Sequence, residues 1–104
     1  MKNGNIIKRN RRPTHPGEVL REDVLPATNI TQEQLAQRLA VSRRTVNEIL
    51  NERRPVSVDM AHRLARAFNT TPDVWINMQT ALDLWEAAEA NKSEYEKIKP
   101  LKVA

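Results

Sequence analysis

Apolar residues in this chain recur at three- and four-residue intervals, and they nowhere alternate with polar ones for long enough to predict a strand. The first stripe is Val19, Leu20, Val24 and Leu25, and it is expected to stop near Pro26. It follows His15-Pro16-Gly17-Glu18, a proline and an acid in a first helical turn, where a missing N–H costs nothing and negative charge suits the dipole. Thr31 with Gln34 has the form of a capping box ahead of Leu35, Ala36 and Leu39, predicting a second helix over about 32–39. Only Ala40 and Val41 intervene before Ser42, the cap of a short third helix. Its inward positions are Val46, Ile49 and Leu50, and Arg43, Arg44, Asn47, Glu48 and Asn51 face outward. Ser57 opens a fourth helix, carried by Met60, Leu64, Ala65, Ala67 and Phe68 and stopped at Asn69 in a left-handed turn. Thr71-Pro72-Asp73 starts a fifth over about 72–90, with Trp75, Met78, Leu82 and Trp85 at i, i+3, i+7 and i+10.

The chain of 104 residues suits a single core. Residues 13–90 are read as one folded unit, preceded by a flexible basic arm over 1–12 and followed by a charged tail, 91–104, around Tyr95, Ile98 and Leu101. No uncharged stretch approaches the ~20 residues that cross a bilayer, so a membrane protein is excluded. The chain has no cysteine, hence no disulfide, thiolate nucleophile or cysteine zinc site, and the cytoplasm is the expected compartment. Its two glycines leave little scope for a phosphate-cradling loop. His15 and His62 are expected at a helix start and on a helix surface, with no chemistry assigned to them. An enzyme, a cofactor, a metal site and a small-molecule substrate are therefore not expected.

The net charge of +4 matters less than its distribution. Residues 1–12 contain Lys2, Lys8, Arg9, Arg11 and Arg12 and no acid. Residues 38–66 hold seven arginines against Glu48, Glu52 and Asp59, whereas residues 67–96 hold Lys92 against six acids. Middling basicity with a local arginine cluster is what a polyanion-binding face looks like, and a solvated helix surface gives similar counts. Two short helices joined by a tight turn, spanning Gln32 to Asn51, form the arrangement that inserts its second helix into the major groove. Small Ala36 suits a close helix crossing, with Leu39, Val41, Val46 and Ile49 beneath. Arginine forks to guanine O6 and N7 and asparagine pairs with adenine, so Arg43, Arg44 and Asn47 are the candidate base readers. Thr31, Gln32, Ser42, Thr45, Arg53 and Arg54 are the candidate phosphate contacts.

On the stretches HPGEVLREDVLP (15–26), TQEQLAQRLAVSRRTVNEILNERRPVS (31–57), MAHRLARAF (60–68) and TTPDVWINMQTALDLWEA (70–87), the sequence resembles the HigA-type antitoxins. The resemblance implies an all-α, five-helix, phage-repressor-like helix-turn-helix domain of the XRE/Cro kind that dimerises and represses its own operon. It also implies a protein partner, a RelE-like toxin that cuts mRNA. The sequence departs from the family at three turn glycines, where it has Ala40, Glu52 and Asn69. A left-handed Ala40 would carry ~1–2 kcal/mol of strain, so Ala40→Gly is expected to stabilise the domain without loss of DNA affinity.

With four other helices to fill a small core and dimers implied by the resemblance, part of the Trp75, Met78, Leu82 and Trp85 seam is expected to meet a symmetry mate; an intramolecular core is the competing reading. The basic arm has three readings: a solubilising tail, a DNA contact, or a segment that folds onto the toxin. The acids Asp83, Glu86, Glu89, Glu94 and Glu96 are either a solvated face or an attractor for a basic toxin. A free-standing phage-type repressor without a toxin is the alternative function. A small basic ribonuclease is disfavoured, since no His, Arg, Lys and Tyr cluster sits on a strand-rich scaffold.

Overall fold

A computed structural model describes residues 11–102, which contain helices and no strand. Residues 1–10, and with them most of the expected basic arm, lie outside the described residues, as do 103 and 104. The first helix, α1, consists of three segments end to end: Pro16–Val19, a π-helical Leu20–Val24, and Leu25–Thr28. It runs through Pro26 and ends at Thr28, two residues beyond the expected stop. Leu25 N–H bonds to the Leu20 carbonyl, five residues back, and this wider turn lets the helix carry Pro26 without the usual collision of its ring with the preceding turn. The helix ends at Asn29, whose left-handed backbone (φ 57°) sends its N–H to Leu25 O at 2.8 Å.

The helices α2 (Gln32–Leu39), α3 (Arg43–Leu50), α4 (Val58–Phe68) and α5 (Pro72–Ala90) follow, then a one-turn α6 (Lys92–Glu96) with exposed residues throughout. Three of the N-caps anticipated from sequence are made by side chains: Thr31, Ser42 and Ser57 accept from Gln34, Thr45 and Met60 N–H. Thr71 caps α5 without a side-chain bond, and Pro72 supplies the helical φ of the first turn.

The core joins Leu20 of α1, Leu35, Ala36 and Leu39 of α2, and Val46, Ile49 and Leu50 of α3 to Met60, Ala61 and Leu64 of α4 and Trp75 of α5. Two buried polar side chains are satisfied inside it. His15 is 4% exposed and caps α1, its Nδ1 accepting from Gly17 N–H at 2.8 Å. Burial holds the imidazole below its usual pKa of about 6.5, opposed by Glu52 and Glu86 and reinforced by Arg12. Gln79, 4% exposed, accepts from Val56 N–H at 2.9 Å and donates to Asp83 at 2.9 Å, which ties α5 to the segment after α3. At Gly17 the α1 backbone approaches α3 so closely that a Cβ would lie 1.8 Å from the Ile49 carbonyl oxygen.

Candidate nucleic-acid interface

Between α2 and α3 the chain turns through Ala40, whose backbone is left-handed at φ 57°, ψ 46°. Its N–H and that of Val41 both return to the last turn of α2, Val41 reaching Ala36 O at 3.0 Å. Arg63 of α4 stretches across to the same turn, donating to Leu39 O at 2.8 Å and Ala40 O at 3.3 Å while its Nε holds Asp59 at 2.7 Å. The carbonyls that a helix end leaves unpaired are thus taken by an arginine from another element. The three positions where the sequence lacks an expected glycine, Ala40, Glu52 and Asn69, all have positive φ. The turns keep their left-handed shape with side chains in place.

The third helix is fastened at both ends. Ser42 Oγ accepts from Thr45 N–H at 3.1 Å and shares a 2.9 Å bond with the Thr45 hydroxyl. At the other end Arg21 of α1 donates to Leu50 O, and Arg53 N–H returns to Glu48 O at 2.8 Å. Between these fastenings Val46, Ile49 and Leu50 are buried, while Arg43, Arg44 and Asn47 are exposed. The three candidate base readers therefore lie together on the solvent side of a rod seated on the core.

Each outward residue has a different local environment. Arg43 and Arg53 have no ion-pair partner among the described residues. Asn47 donates through Nδ2 to Gln32 Oε1 at 3.2 Å, which links the readers to the start of α2. Thr31 was expected to offer a backbone N–H to phosphate, but that group is consumed by the capping box, donating to Gln34 Oε1 at 2.9 Å. The first-turn amides of Gln32 and Glu33 remain. The spacing of α3 marks Glu48 only as an outward residue. It sits among the arginines, with Oε2 3.1 Å from Arg44 Nε and Oε1 2.9 and 2.6 Å from Arg54 Nε and Nη2. Arg54 and Arg44 hold its carboxyl below the usual carboxylate range.

Arg12 pairs with Glu52 at 3.3 Å and Glu86 at 3.1 Å, so the last residue of the expected arm is attached beside the end of α3. Glu52 also meets Arg21 at 3.4 Å.

The seam on α5 divides into two faces. Trp75 (3% exposed) and Leu82 (1%) are buried within the chain's own fold, Trp75 bonding Thr70 Oγ1 through Nε1 at 2.9 Å. Neither has surface to give a partner, which corrects their expected place at a dimer interface: the core of a chain this small needs the inner half of its longest helix. Met78 and Trp85 are half-buried, and Val74 and Leu84 beside them are exposed. Among the described residues no helix is long and apolar enough to cross a membrane.

Residues 20–75 match the family model for the helix-turn-helix domain. The chain is 38% identical over 86 residues to the HTH-type transcriptional regulator YbaQ of Escherichia coli K12, an alignment covering 83% of this chain and 76% of that one. It is 36% identical over 97 residues to the antitoxin HigA-1 of Vibrio cholerae, covering 93% and 91%. The solved structure of the Pseudomonas aeruginosa antitoxin HigA with the higBA promoter superposes with a TM-score of 0.82 at 44% identity, covering 88% of this chain and 100% of that one.

Proposed function

The chain belongs to the XRE-type helix-turn-helix family that includes the HigA antitoxins, and from that premise we propose that it is the DNA-binding antitoxin of a toxin–antitoxin pair, repressing its own operon as a dimer. The observation that carries this reading is α3 itself, with Arg43, Arg44 and Asn47 on its solvent side above buried Val46, Ile49 and Leu50. In the proposed mechanism two copies place their α3 helices in successive major grooves of a two-fold operator and obstruct the promoter without catalysis. Arg44 and Asn47 read base edges. Arg53, Arg54, Gln32, Ser42 and Thr45 hold phosphates, so affinity falls steeply with salt. Met78 and Trp85, with Val74 and Leu84, supply the partner face on α5. The toxin is a RelE-like mRNA-cleaving protein, and its cationic RNA-binding surface suits the acids Asp83, Glu89, Glu94 and Glu96.

The test is titration of labelled duplex from the protein's own upstream region, and of a scrambled duplex, over a range of salt. Arg44→Ala and Asn47→Ala are expected to cost about 1–3 kcal/mol on the upstream duplex and to relax specificity, while Arg53→Ala weakens both duplexes alike. Equal losses on both duplexes for all three variants refute this division of roles. Co-expression with the neighbouring reading frame then reports the toxin; a chain that represses and captures nothing there is a free-standing repressor.

A further inference from the structure

A carboxylate in the middle of a face meant for phosphates repels them, so Glu48 requires an account. Both of its oxygens are engaged. Oε2 takes the Nε of Arg44, one turn back on the same helix, and Oε1 takes Arg54 from the loop beyond. The two guanidiniums outweigh its charge, and their effect on its pKa keeps it ionised at any pH where the domain would meet DNA. An arginine can fork to guanine along its end, through both terminal amino groups, or along its side, through Nε. With Nε occupied, Arg44 has only the end.

We propose that Glu48 is a specificity-determining positioning residue, holding Arg44 by Nε so that its two terminal amino groups face a guanine edge before DNA arrives. The proposal rests on α3 being the recognition helix. The Arg44 side chain is 85% exposed and, among the described residues, no other ion pair restrains it, so without Glu48 its rotamer freedom would be lost only on binding. Arg43, with no such partner, then contributes charge more than discrimination.

The experiment compares the ratio of upstream-duplex to scrambled-duplex affinity in wild type, Glu48→Gln, Glu48→Asp and Arg44→Ala, and in Arg44→Ala combined with Glu48→Gln; thermal melts check that each is folded. Glu48→Gln is expected to lower the ratio about twofold, the most that an exposed pair one helical turn apart can supply in advance, with scrambled-duplex affinity rising because a negative charge leaves the face. Glu48→Asp keeps that charge but withdraws the oxygen from Nε, so it should lower the ratio without the rise. In the Arg44→Ala background, Glu48→Gln should leave the ratio unchanged. An unaltered ratio in Glu48→Gln, or the same loss with and without Arg44, overturns the proposal. A wild type that does not prefer its upstream duplex overturns the DNA-binding reading itself, a result distinct from failure at Glu48.

Discussion

Ala40 offers a direct measure of what the missing turn glycine costs. Its backbone is held at φ 57°, ψ 46°, where an L-residue is about 1–2 kcal/mol less comfortable than in the right-handed region. Its methyl group is exposed, so truncation removes no core contact, and the bond from Arg63 goes to its backbone carbonyl, which glycine retains. Against the relief stands the extra freedom of glycine in the unfolded chain, about 0.5–1 kcal/mol. Ala40→Gly should therefore stabilise the domain by about 1 kcal/mol, raising Tm by roughly 4–8 °C for a domain of this size. Ala88→Gly on the exposed face of α5 is the control: the same chemical change in a right-handed helix should destabilise by about 0.5–1 kcal/mol. Urea and thermal unfolding of the two variants read the opposite signs. A lower Tm for Ala40→Gly would show that the turn is not strained and that the positive φ carries no such penalty. Operator affinity should stay within about twofold of wild type, because Ser42 and the α3 cap are untouched.

Gly17→Ala should destabilise by about 1–3 kcal/mol, read as a lower urea midpoint, because its Cβ would meet the Ile49 carbonyl, a backbone atom that cannot swing aside. Stability should fall as pH drops below about 6.5: the folded pKa of His15 is depressed, so in that range the unfolded chain binds more protons. Protonation would also remove the Nδ1 acceptor from Gly17, and His15→Asn, which keeps a capping acceptor but does not titrate there, should flatten the urea midpoint between pH 7 and pH 5. Val74→Glu and Leu84→Glu, at the exposed positions of that face, should shift sedimentation toward monomer with little change in Tm at low concentration, whereas a wild type that sediments as a monomer at micromolar concentration removes the dimer from the account.

Caps and periodicity were readable because they are local. Thr31, Ser42 and Ser57 announce three helix starts by side chains that bond three residues on, and the arginine and asparagine strip of α3 follows from its spacing alone. What the sequence concealed depends on contacts far along the chain. Pro26 reads as a stop unless the π turn before it is known. The apolar period of α5 marks a buried face without saying what covers it, so Trp75 and Leu82 looked available to a second copy. Gln79 and His15 owe their burial to Val56 and to the segment around Glu52 and Arg54, and Arg63 reaches the α2 turn across 23 positions of sequence. Glu48 does not stand out in the sequence because its sign opposes the expected ligand; only the two guanidiniums beside it give it a role.

The π turn in α1 takes up one residue more than a regular helix would hold over the same span, so the helix faces on either side of it keep their alignment. Removing one residue from Leu20–Val24 would close it to regular α geometry with His15 and Gly17 still against the C-terminal end of α3, but the ring of Pro26 would then meet the carbonyl of the preceding turn. The damage would fall on the helix that backs the rod meant for the groove, although none of the rod's own residues had changed.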